Sequence, residues 1–144
     1  MMGKATTAAM LWPCVGMVSL TALVWVKLYV DRIGEMRRKR VDPQSLAMSG
    51  AKAAILQDTA ASDNFRNLFE VPVLFYVLCV AVTATGSATP AFVAAGWAYV
   101  ALRALHSLIH VTYNRVMHRF AVYAASTLLL FAMWAAFAFD LAGA

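Results

Sequence analysis

Residues 91–110 read AFVAAGWAYVALRALHSLIH. Arg103 is the one Lys, Arg, Asp or Glu in that stretch. A helix rises about 1.5 Å per residue, so roughly 20 mostly apolar residues cross the ~30 Å hydrocarbon core of a bilayer. Three further stretches have the same character: residues 8–30, 68–86 and 119–139. Lipid offers no water to backbone N–H and C=O groups, so runs of this length fold as helices. The polar–apolar alternation of a membrane β-strand is absent from them. The expectation is an all-α membrane protein: one domain over residues 1–144, built as a four-transmembrane-helix bundle.

Composition points the same way. Of the 144 residues, 62% are hydrophobic and 13% charged, against about 25% charged in a soluble domain. The N-terminal apolar run, from Ala5 to Val30, exceeds the roughly 7–15 residues of a signal-peptide core and ends in a basic cluster. It is therefore expected to be a retained first helix. Cys14 and Cys79 both lie in apolar runs with no CxxC spacing, which predicts buried thiols, with neither a structural disulfide nor a metal site. Nothing suggests a nucleic-acid partner.

The links between spans are unequal. Residues 87–90 and 111–118 are short, so the second, third and fourth spans are expected to be antiparallel neighbours. Residues 31–67 form a long basic loop with a mildly helical piece around 47–58. That loop holds Arg32, Arg37, Arg38, Lys39, Arg40, Lys52 and Arg66, and the third link with its edge adds Arg115 and Arg119, whereas the opposite side has Lys4. By the positive-inside rule, loops 31–67 and 111–118 face the cytoplasm and both termini lie on the other side.

Ionisable groups at membrane depth are costly and mark function. Arg103, His106 and His110, followed by Tyr113, repeat at helical spacing and predict one polar stripe running down the third span. Arg119 and Tyr123 open the fourth span near its lower end. Asn67 and Glu70 open the second, where Arg66 and Glu70 stand at i, i+4 and are placed to pair. A structural salt bridge from Arg103 to Glu70 is the plain alternative for the deep arginine, and snorkelling suffices for Arg66, Arg115 and Arg119 taken singly. Taken together the groups make a cationic mouth with at least one carboxylate. It suits a small anion that also carries an amine: arginines fork onto carboxylates and Glu70 takes the ammonium.

Four stretches resemble the MAPEG family, the membrane-associated proteins in eicosanoid and glutathione metabolism. They are Val26-Lys-Leu-Tyr-Val30 with Gly34-Glu-Met-Arg-Arg-Lys-Arg40; Arg66-Asn67-x-x-Glu70 with Pro72; Arg103-x-x-His106; and Arg119 with Tyr123. The first is similar to the prostaglandin E synthase branch, which stands beside the microsomal glutathione transferases. The resemblance implies a homotrimer that binds glutathione as co-substrate between subunits and takes a lipophilic electrophile from the membrane lipid. It implies a glutathione-dependent transferase, or a peroxidase or isomerase of the same kind. Arg37, Asn67, Glu70, Arg103, His106, Arg119 and Tyr123 match its glutathione-site positions, with Arg119 matching the arginine that stabilises the thiolate. A cation beside a thiol favours the nucleophilic thiolate. The chain departs at Asp63, where the family branch often has arginine, at Phe120, a serine in the prostaglandin synthase branch, and at His110, which replaces a tyrosine but stays in the candidate set. These departures leave open a non-catalytic relative that binds lipid or a protein. A small transporter fits less well, since no inverted repeat is visible.

Overall fold

A computed structural model describes residues 8–46 and 59–143. The expected helical piece at 47–58, with Lys52, and the N-terminal Lys4 lie outside the described residues. Helix α1 spans Leu11–Lys39, a single 3-10 turn spans Pro43–Leu46, and α2 spans Ala60–Asn67. They are followed by α3 at Val71–Thr85, α4 at Pro90–Val111 and α5 at Val116–Gly143. Four stretches are long and apolar enough to cross a membrane: α1, α2 and α3 taken together, α4, and α5. The protein is a four-helix, multi-pass membrane bundle, as its hydropathy predicts.

The boundaries differ from the expected ones where hydropathy and helicity part company. The long loop was expected from residue 31, yet α1 continues to Lys39. Its extension carries helical i, i+4 ion pairs, Lys27–Asp31 at 2.8 Å and Lys39–Glu35 at 2.6 Å. Arg37, Arg38 and Lys39 fill its last turn, where cations complement the helix dipole. At 29 residues α1 is about 44 Å long and overshoots the hydrocarbon core. It stops at Arg40, which adopts a left-handed φ of 50° and returns its N–H to Arg37 and Met36 carbonyls. The second span likewise starts early, at Ala60, and is broken at residues 68–70. Pro72 accounts for the break: it has no N–H for the Leu68 carbonyl, and its ring crowds that carbonyl. The link from α3 to α4 turns at Gly86, φ 72°. Thr89 then caps α4 by accepting from the Phe92 N–H at 3.3 Å, with Pro90 in the first turn.

Helix α4 is the hub, packed on α1, α2 and α5, while α3 lies against α1 and α5. The α1–α4 crossing is close because each helix offers a glycine. A Cβ on Gly16 would stand 3.1 Å from the Trp97 ring, and one on Gly96 3.0 Å from Pro13 Cγ. Small residues permit this approach in lipid, where association depends on packing. Below the crossing Phe75 stacks on Tyr99 at 4.4 Å within a core that includes Met17, Leu78, Leu130 and Phe137. The outer faces stay apolar, with Leu23, Leu128 and Phe139 each more than two-thirds exposed, as lipid-facing surfaces should be.

Candidate functional site

The break that Pro72 imposes sets the site. In a continuous helix the Asn67 carbonyl would accept from the Val71 N–H; here no backbone donor among the described residues reaches it. The Arg103 guanidinium of α4 takes that place, donating Nη2 to the Asn67 oxygen at 2.8 Å. Arg103 is fully buried, lies over the Tyr123 ring at 5.4 Å from its centroid, and keeps Nε and Nη1 without a partner among the described residues. It forms no ion pair with Glu70, so the salt-bridge alternative is not realised. Nor do Arg66 and Glu70 pair. Their i, i+4 spacing presupposes one helix, and the helix ends between them at Asn67. Glu70 stands exposed as the N-terminal cap of α3, where a carboxylate suits the helix dipole.

Below Arg103 the stripe continues through His106 and His110, both buried. His106 Nδ1 lies 3.1 Å from the Arg119 carbonyl. A carbonyl only accepts, so Nδ1 carries the hydrogen. His110 faces the other way round: its Nε2 accepts from Arg119 Nη1 at 3.2 Å. The same Nη1 donates to Asn114 Oδ1 at 2.8 Å. Asn114 sits in the turn after α4 with a left-handed φ of 46°, its N–H bonded to the Ile109 carbonyl at 2.8 Å. The α4–α5 hairpin therefore grips Arg119 by side chain and backbone at once. Tyr113 leaves the stripe: α4 ends at Val111, and Tyr113 turns outward to meet His118 at 3.2 Å. His118, expected in the loop, is exposed on the first turn of α5.

Asn67, Glu70, His106, Arg119 and Tyr123 line one cleft of about 210 Å³, with Val116 and Phe120. Of the eight site residues expected from sequence, these five share a wall, and Arg103 and His110 stand directly behind it. Arg37 does not join them. It projects from the last turn of α1 and borders a shallow groove with Trp25, Tyr29 and Ile33. Two contributors were not singled out from sequence. Asn114 would have needed knowledge of a left-handed turn, although asparagine beside a helix end is its usual signal. Asn64 is fully buried and accepts from Ser107 at 3.1 Å, and nothing in its spacing marked it.

The sequence profile of the MAPEG family matches residues 10–139, nearly the whole chain. The chain belongs to the MAPEG family. No curated protein and no solved structure matches it. Membership places this membrane bundle in the setting of glutathione and eicosanoid metabolism. The cleft of this MAPEG protein presents a carboxylate at Glu70 and a held guanidinium at Arg119, with the buried guanidinium of Arg103 behind its wall.

Proposed function

We propose that this MAPEG protein is a glutathione-dependent membrane transferase, or a peroxidase or isomerase of the same chemistry, of the prostaglandin E synthase and microsomal glutathione transferase type. The observation that carries the proposal is the cleft between the α2–α3 break, α4 and α5, where Arg119 is fixed by two neighbours. Glutathione offers two carboxylates, an ammonium and a thiol. Glu70 takes the ammonium, Asn67 holds a carboxylate end with the buried Arg103 behind it, Tyr123 adds a hydroxyl, and Arg119 faces the sulfur. A lipophilic electrophile arrives from the bilayer past the exposed Phe120. The thiolate sulfur attacks its electrophilic carbon: the carbon–sulfur bond forms as a π bond or a strained C–O bond of the electrophile breaks, and that bond's electron pair stays on the neighbouring carbon or oxygen.

One chain supplies a cleft of about 210 Å³, below the roughly 300–1,000 Å³ that encloses a drug-sized ligand. A homotrimer supplies the missing wall: the exposed α1 face with Arg37 lies against a neighbour's cleft. The basic end of α1 and the α4–α5 turn face the cytoplasm, with both termini opposite. The second reading is a non-catalytic binder of lipid or a protein partner. It is favoured by Phe120 at the cleft mouth and by an apolar groove of about 570 Å³ between Trp25, Phe65, Phe69 and Tyr76.

Titration of the purified protein with glutathione, followed by stopped-flow absorbance of the thiolate, separates the two. Arg119→Ala should abolish the thiolate signal and turnover while affinity stays within a few-fold, the mark of a chemical role rather than uniform binding. Glu70→Gln should chiefly weaken binding, because a neutral amide loses the charge-assisted hydrogen bond to the ligand's ammonium. Wild type that binds glutathione without thiolate or turnover supports the non-catalytic reading. Wild type that does not bind it removes the glutathione proposal.

A further inference from the structure

Forming a thiolate releases a proton, and Arg119, already fully protonated, has no site to receive it. Among the groups lining the cleft, one is built to do so. His106 Nδ1 is committed as a donor to the Arg119 carbonyl at 3.1 Å, so in the neutral ring Nε2 holds the lone pair. That nitrogen is covered from solvent and has no hydrogen-bond partner among the described residues, while the ring borders the same cleft as Arg119. The commitment is structural. The carbonyl belongs to the residue whose guanidinium His110 and Asn114 hold, so base and cation are fixed to one turn of α5. His110 is wired in the opposite sense, with Nε2 occupied by Arg119, and offers no free lone pair to the cleft. Arg103 is a donor, and Tyr123, 5.7 Å from His106 ring to ring, carries a hydroxyl that already has its own proton. Glu70 is the competing acceptor, but it is exposed at the cap of α3.

We propose that His106 Nε2 is the general base that takes the glutathione thiol proton. The assignment rests on the glutathione reading above. In the step the S–H bond breaks, its electron pair stays on sulfur beside Arg119, and the proton forms an N–H bond on His106. The imidazolium keeps its hydrogen bond to the Arg119 carbonyl. When an adduct with an anionic carbon or oxygen forms, that proton returns to it and the neutral ring is restored.

The test is a proton count. Glutathione binding is measured by calorimetry in buffers of different ionisation enthalpy, with the thiolate followed by absorbance in the same samples. Wild type should form thiolate with almost no proton released to buffer. His106→Gln should retain glutathione affinity within a few-fold, lose turnover by about 10²–10⁴-fold, and release its proton to buffer for whatever thiolate remains. Should that variant fold poorly, nitrogen-15 histidine spectra of wild type replace it. The chain has three histidines, and glutathione should convert one, assigned by His110→Gln and His118→Gln, to imidazolium. One proton released per thiolate in wild type, thiolate without release persisting in His106→Gln, or three unchanged imidazoles would each overturn the assignment while leaving the glutathione reading intact. Absence of glutathione binding by wild type would remove both.

Discussion

At the α1–α4 crossing, Gly16→Ala and Gly96→Ala should have different effects although the chemical change is the same. In both helices alanine gains about 1 kcal/mol in propensity over glycine. The neighbours differ. The new methyl at Gly16 meets the edge of Trp97 at 3.1 Å, a side chain 46% exposed that can swing away, and Val100 Cγ1 at 3.3 Å, a side-chain methyl that has to give by only a few tenths of an ångström. The methyl at Gly96 meets Pro13 Cγ at 3.0 Å and Cβ at 3.2 Å, and a proline ring has no rotamer to escape into. Overpacking a tight site costs about 1–3 kcal/mol. Gly16→Ala should therefore be neutral or stabilising by up to about 1 kcal/mol, and Gly96→Ala destabilising by up to about 2 kcal/mol. Thermal unfolding in one detergent, read by circular dichroism, gives the order. Pro13→Ala in the Gly96→Ala background supplies the control. Pro13 lies in the first turn of α1, so its replacement disturbs no helix hydrogen bond, and the pair should couple favourably by about 0.5 kcal/mol or more. Equal melting of the two glycine variants, or no rescue by Pro13→Ala, would refute the close-contact explanation.

Other outcomes follow from the turn, the loops and the incomplete cleft. Asn114→Gly should lower turnover about 3- to 10-fold by freeing Arg119, while Asn114→Ala should lower it equally and also lose about 1 kcal/mol of stability, since only alanine strains at left-handed φ; full activity in the glycine variant would deny Asn114 its role. A cysteine placed at Ser45 should resist impermeant maleimide in intact cells and react after lysis, and labelling without lysis would reverse the topology. Native mass spectrometry in mild detergent should give a trimer, which Arg37→Glu weakens in glutathione binding by at least ten-fold without dissociating it; a monomer alone would argue against a cleft completed by a neighbour.

The span count was legible because hydropathy measures what lipid requires, and the α4 stripe because Arg103, His106 and His110 sit on one helix without interruption. Hydropathy does not measure helicity, so α1 ran on past Val30 through residues that are polar but good helix formers. Spacing arguments failed where a helix stopped. Tyr113 lay past the end of α4, and Arg66 and Glu70 fell on opposite sides of the break between α2 and α3. The glycine contact was illegible for another reason: it depends on which residue of α1 meets which of α4, and no local pattern encodes that pairing.

Pro72 joins the legible and illegible parts. A proline near the start of a membrane span is plain in the sequence, and so is a charged residue in the middle of another. What connects them is that breaking a helix in lipid exposes a carbonyl which needs a donor, and burying an arginine in lipid requires an acceptor. Each defect is costly alone, and each answers the other at 2.8 Å between Asn67 and Arg103. That one bond satisfies a single guanidinium nitrogen. Nε and Nη1 are left without a partner among the described residues, and the break leaves Glu70 facing outward at the head of α3. A continuous second helix would have filled the Asn67 carbonyl from its own backbone. It would also have kept Arg66 and Glu70 one turn apart, free to neutralise each other on the surface. The interruption thus keeps the Glu70 carboxylate from pairing with Arg66 and gives the buried Arg103 guanidinium the Asn67 carbonyl as its acceptor.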